Sequence, residues 1–280
     1  MTVFASDDWR QRESAHADRA TALTAEHIAR RSRGETHPVW DFLFTYYSYK
    51  PSALSRWHPG AGVELEDAAS DDRAAWRWYV PGSAAGSLRV DAESYEADKR
   101  AVVRLARIML RRTSERPGQF DCFGLHEWAM VYRQDEHRHA QPLRLGQRQT
   151  DEVVESHDLK CTHFDAFRFF TPDAVPRNRQ PLTVDERTAN EQPGCLHAGM
   201  DVYKWAMKLG PLVPGHLLLD AFELARDIRL LDMQAAPYDL SDFGVVPVQI
   251  ETPAGKAQYV RQQRGFAERA DALRRAILAA

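Results

Sequence analysis

Cysteine is scarce in this sequence: only Cys122, Cys161 and Cys195 occur, an odd number with no CxxC spacing. That argues against a disulfide framework and a thiolate zinc finger, and it fits a reducing, cytoplasmic compartment. Long apolar runs are missing too. No stretch of 18 apolar residues occurs and the start, MTVFASDDWRQRES, lacks an apolar signal core, so neither membrane spanning nor secretion is expected. Neither charge sign dominates. With 37 Lys and Arg against 40 Asp and Glu, the net charge of −3 gives no bulk attraction to nucleic acid, and any grip on phosphates must come from a local patch. The GxSxG elbow, the Walker A loop, the dinucleotide GxGxxG and the HExxH zinc helix are all absent, which lowers the acyl-hydrolase, NTPase, Rossmann and zincin readings.

What is present is enough apolar residue, 44% of 280, to build a sizeable core. The pattern predicts a mainly α protein, a single compact helical domain over residues 1–280 with one or two short β-strands. The first 33 residues read as a charged helix. HPVWDFLFTYYSYKP reads as an aromatic core segment, and residues 66–90 as loop with Trp76, Trp78 and Tyr79 docking onto the body.

From Asp91 to Thr113 the period is helical: Val102, Leu105, Ala106, Met109 and Leu110 share one side, opposite a stripe of Arg100, Arg104, Arg107 and Arg111. Pro117-Gly118 stops it. Loops are expected at about 133–150 and at 171–193. CLHAGMDVYKWAMKL and residues 214–233 read as helices, the second with Asp220, Glu223 and Asp227 on its polar side. VVPVQIE alternates like a short edge strand broken by Pro247. Thr252-Pro253 reads as an N-cap with proline at the first helical position of a last helix.

Four segments set imidazole beside carboxylate: RWHPG (His58), GLHEWAMVY (His126, Glu127), ESHDLKCTHFD (Glu155, His157, His163, Asp165) and EQPGCLHAGMD (Glu191, His197, Asp201). Imidazole and carboxylate are the usual ligands of Fe, Mn or Zn at a catalytic site without thiolates, and carboxylates also hold His tautomers. In a helix His197 and Asp201 share a face; in an extended segment His163 and Asp165 do. Each has a plainer reading. His197, Asp201, Lys204 and Lys208 fit a solvated helix stripe, His126 a hydrogen-bonded core histidine, His58 a turn residue, and the arginine stripe the wet face of its helix. Burying His163 and Asp165 among phenylalanines would be costly unless they paired or served a purpose. Candidate metal ligands are thus His126, His157, His163 and His197, in an enzyme acting on a small molecule.

The segments HPVWDFLFTYYSYKPSALSRWHPG, CFGLHEWAMVYR, CTHFDAFRFFTP, EQPGCLHAGMDVYKWA, FELARDIRLLDM and IETPAGKAQYV together resemble a group of actinobacterial proteins that commonly carry the label 3-methyladenine DNA glycosylase. The resemblance spans nearly the whole chain and implies excision of an alkylated base from damaged DNA. The chain has neither an LPGVG-type hairpin nor a terminal two-Cys, two-His zinc snap, so no catalytic residue carries over from those glycosylase families. On physical grounds such chemistry casts Asp165 or Glu127, with His163, as catalytic groups. Trp128, Tyr132, Phe164, Phe167 and Phe169 would stack the base, and Arg104 and Arg107 would grip the backbone. Nothing in the sequence specifies an oligomeric state.

Overall fold

The computed structural model describes residues 1–137 and 140–280. It is mainly α, as expected, with twelve helices and one small four-stranded sheet among those residues. The chain folds as two compact units, each built from separate stretches of sequence. Unit 1 is Met1–Arg111, Val202–Glu223 and Ala272–Ala280; unit 2 is Arg112–Asp201 and Leu224–Asp271.

In chain order the elements are β1 (Thr2–Phe4), α1 (Ser6–Ser32), α2 (Phe42–Tyr46), α3 (Pro51–Leu54), β2 (Val63–Leu65), β3 (Tyr79–Pro81), β4 (Leu88–Val90), α4 (Ala92–Asp98) and α5 (Arg100–Ser114). The second half runs α6 (Leu125–Ala129), α7 (Gly146–Glu155), α8 (Phe164–Phe167), α9 (Arg187–Asn190), α10 (Leu196–Leu209), α11 (Gly215–Ala235) and α12 (Pro253–Ala279). The unit boundaries fall inside α5, α10, α11 and α12, so no Pro, Gly or Ser-rich linker marks them.

In unit 1, α1 puts Asp7 and Asp8 in its first turn and Arg30 and Arg31 in its last, matching the helix dipole at both ends. Its buried stripe is Trp9, His16, Ala20, Thr24 and His27, steps of three, four and seven. Two of these are histidines and both are bonded: His16 Nε2 lies 3.0 Å from the Leu54 carbonyl and His27 Nδ1 2.9 Å from Asp41. The sheet has the order β1-β2-β4-β3, with β1 parallel to β2 and the other pairs antiparallel.

Residues 66–90 therefore contain strands where a loop was expected. Each strand is three residues, too short for alternation to show. The helix expected from Asp91 is also two helices, α4 and α5, broken at Lys99. Asp91 caps α4 by accepting from Ser94 N at 3.1 Å. On α5 it is Val103 that is buried, while Val102 is 37% exposed. Arg100, Arg104, Arg107 and Arg111 are all exposed.

In unit 2, α7 occupies part of the stretch expected as loop at 133–150. VVPVQIE forms no strand. Pro247 has no N–H to give a ladder, and Val248 N donates instead to Gln234 O at the end of α11, 2.8 Å away. Thr252 caps α12 as expected, its Oγ1 accepting from Gly255 N at 3.0 Å. Before α10 the chain passes Gln119 so closely that a Cβ on Gly194 would sit 2.2 Å from the Gln119 carbonyl oxygen, so only glycine fits. Gln192 Oε1 accepts from Gln119 N (2.8 Å) and Gly194 N (2.7 Å), and Gln263 Nε2 donates to Gly194 O at 2.7 Å. These bonds fix the chain between Glu191 and His197.

Candidate metal centre

Five segments of unit 2 bring the site together. Gly124, at φ +75°, turns the chain into α6, a five-residue helix that is buried throughout and carries His126 and Glu127. Trp128 Nε1 pins α6 to α11 by donating to Ala235 O at 2.8 Å. His163 is the extended residue that opens α8, and Glu191 is the extended residue that follows α9. His197 and Asp201 lie one turn apart on α10, and Arg229 and Asp232 three residues apart on α11.

Two triads of metal-ligand type result: His126, His197 and Asp232, and His163, Glu191 and Asp201. Within each, one ligand atom per residue lies within 4.8 Å of the others, and all six residues are buried. Ligands at about 2.1 Å from a shared tetrahedral metal stand roughly 3.4 Å apart, so small side-chain movements close either set. His163 Nε2 is already 3.4 Å from Asp201 Oδ2 and 3.6 Å from Glu191 Oε1. His197 links the triads, its ring centroid 4.5 Å from that of His126 and 5.3 Å from that of His163.

The charges are arranged around Asp232. Its Oδ1 is 2.9 Å from His126 Nε2, and its Oδ2 accepts from Arg229 Nη1 at 2.8 Å. The same Nη1 reaches Glu127 Oε1 at 3.2 Å. Burial works against an imidazolium at His126, but the charge and hydrogen bond of Asp232 outweigh it and hold His126 well above the usual histidine range. Burial also works against the Asp232 carboxylate and loses to His126, so Asp232 stays ionised. His197 goes the other way: burial, then the nearby His126 charge, push it well below the usual range and leave it neutral. Its Nδ1 is buried with no hydrogen-bond partner among the described residues, as is Glu127 Oε2. A neutral imidazole with a buried, unused nitrogen beside carboxylates is a ready metal ligand.

A cavity with a free interior of about 10 Å³ touches this centre, lined among others by His126, His197, Tyr259 and all three cysteines. That is room for one water-sized molecule. Burial pushes the Cys161 and Cys195 thiols up, so both stay protonated.

Several candidates lie elsewhere. Asp165 does not share a face with His163, because the chain turns helical at Phe164 and the two-residue period of a strand does not apply. It is partly exposed and lies 3.6 Å from Arg168 Nε. His157 belongs to neither triad; its Nδ1 bonds Val153 O at 2.7 Å. Tyr132 is buried with its hydroxyl 2.9 Å from Glu155 Oε1. Phe167 packs on Phe170 with centroids 5.1 Å apart, Phe169 stacks under Arg168, and neither these two nor Phe164 lines the small cavity. In unit 1, Arg107 pairs with Glu96 at 2.6 Å, while Arg104 makes no ion pair among the described residues.

The solvated-stripe reading of His197 and Asp201 is corrected: they are 7% and 2% exposed, because the first turns of α10 are buried on every side. Asp232 and Arg229 were missed. Their signal was local, two charges three apart inside the apolar run Ile228 to Met233. No family model, curated protein or solved structure matches this chain.

Proposed function

We propose that the protein is a metal-dependent enzyme acting on a small molecule, with its metal centre on the two triads of unit 2. One observation carries this reading: six buried imidazole and carboxylate side chains grouped as two adjacent three-ligand sets. Sinking so many ionisable groups into one core costs several kcal/mol per ion unless they pair or hold a cation. Two His and one carboxylate in one triad, and one His and two carboxylates in the other, suit Fe, Mn or Zn. Such an ion, when bound, would activate water or dioxygen.

The chain's own residues then have separate tasks. His126, His197 and Asp232 would hold one ion, His126 giving up its proton to do so, and His163, Glu191 and Asp201 would hold the other. Arg229 orients Asp232 through the oxygen that His126 does not use, and it joins Glu127 to the same network. The cavity beside His126 and His197, with room for one water, supports water as the molecule such an ion would activate.

The resemblance to glycosylase-labelled proteins supports a second reading, and the exposed row Arg100, Arg104, Arg107 and Arg111 favours it. Its weakness is the casting of the pocket, since Trp128 and Tyr132 are buried and engaged rather than open for stacking.

Elemental analysis of the purified chain separates the two. The expected result is two equivalents of Fe, Mn or Zn per chain, one lost in His163→Ala and one in His197→Ala, and both retained in Asp165→Ala. A metal-free protein that releases 3-methyladenine from alkylated duplex DNA would overturn the metal reading and support the glycosylase.

A further inference from the structure

Unit 1 contains a second chemically distinctive place, built around the RWHPG segment. A cavity of about 440 Å³, inside the usual range for small-ligand pockets, is lined by Trp76, Trp78, Tyr79, Tyr95, Arg56 and His58, among others. We propose that this cavity is a binding site for a planar aromatic ring carrying one anionic group. The cavity shares no residue with the metal centre, so neither proposal depends on the other.

The wall is aromatic and held in place. Trp76 meets Tyr79 edge to face at 5.6 Å between centroids, and Trp78 meets Tyr95 likewise at 5.2 Å. Tyr95 already uses its hydroxyl, donating to Lys208 O at 3.1 Å. Gly210 leaves the space this needs: at φ +56° it has no Cβ, and one would stand 2.6 Å from the Tyr95 hydroxyl oxygen. A flat ring entering the cavity finds rings to stack on or to meet edge-on.

The charge is one-sided. Arg56, Arg77 and Lys99 all line the cavity. Arg77 and Lys99 share a single carboxylate, Asp98, at 3.1 and 3.0 Å. Arg56 has no acidic partner among the described residues, and its guanidinium lies 4.9 Å over the Trp76 ring. It is thus set beside an aromatic wall with its donors unspent, the arrangement that recognises an anion attached to a ring.

His58 adds a neutral polar group to the wall, its Nδ1 2.8 Å from the Tyr79 hydroxyl. Burial, followed by the charges of Arg56, Arg73 and His16, depresses His58 to about 3, so it is neutral at pH 7. Among the described residues His58 Nε2 has no hydrogen-bond partner, which leaves it for a polar group of the ligand.

The test uses 2-naphthoate as the anionic probe and 2-naphthamide as its neutral counterpart, followed by tryptophan fluorescence and calorimetry on the full chain. Naphthoate is expected to bind saturably and at least about tenfold more tightly than the amide. Arg56→Gln should weaken naphthoate by about tenfold and leave the amide unchanged, whereas Trp76→Leu should weaken both. Arg12 lines a neighbouring cavity and is paired with Asp8, so Arg12→Gln should change nothing. Equal binding of the two probes, no saturation by millimolar naphthoate, or a loss on Arg12→Gln equal to that on Arg56→Gln would each overturn the proposal.

Discussion

His58 shows how one side chain's surroundings decide its behaviour. In an unfolded chain a histidine takes up its proton near pH 6.5. In the fold it is held at about 3 by burial and by Arg56, Arg73 and His16. The folded value lies below the unfolded one, so the unfolded state binds more protons between the two. The stabilisation by neutral His58 is complete above pH 6.5 and drains away as pH falls from there toward 3. At pH 5 the loss through this residue amounts to about 2 kcal/mol. Urea unfolding of the native chain and of His58→Gln at pH 7.5 and 5 checks it. The variant should lose about 2 kcal/mol less than the native chain on acidification, and parallel losses would remove His58 as the cause.

Residue roles were legible in the sequence where the relevant partner is near in the chain. His197 and Asp201 share a face because they are one helical turn apart, and that was legible. That the face is buried was not, since it depends on segments as distant as His163 and Glu191. His58 read as a turn residue; it lies in irregular chain just before the turn at Ala61 and Gly62, and the Tyr79 hydroxyl it bonds comes from a strand more than a dozen residues on.

At the scale of elements, the C-terminal helix α12 offers the plainest test of local coding. Thr252 caps it through Gly255 N, with Pro253 at the first helical position where its missing N–H costs nothing. Thr252→Ala removes the cap and should cost about 1 kcal/mol, while Thr252→Ser should cost only a few tenths. Thermal unfolding compares them; an alanine variant as stable as the serine one would mean the cap is not working. The long helices α1, α10, α11 and α12 were legible because three or more turns of period and clear end signals identify them. The short elements were not. Strands of three residues show no alternation, and the single turn α8 reverses the inference for His163 and Asp165, since extended and helical chains put residues two apart on different faces. VVPVQIE carried a strand-like pattern, yet a pattern cannot supply a partner strand, and its amide went to the end of α11 instead.

At the scale of the whole molecule, the metal proposal makes a thermodynamic demand. The ligand set begins at His126 and ends at Asp232, 106 positions apart, so the unfolded chain contains no such site. A cation that binds only the folded state stabilises it by about 2.7 kcal/mol when its free concentration is a hundred times its Kd. For a chain of this size that corresponds to a rise in melting temperature of roughly 5 °C. Melting curves in EDTA and then with Fe(II), Mn(II) or Zn(II) should show the rise with at least one of them, His163→Ala or His197→Ala should reduce it, and the double variant should abolish it. Mg(II) is the discriminating control. It prefers an all-oxygen octahedron and keeps its waters, so a centre with three imidazoles should gain little from it. A shift with Mg(II) equal to that with the transition metals would point to a surface carboxylate site, and no shift with any of the four would leave the six buried side chains as a purely structural network.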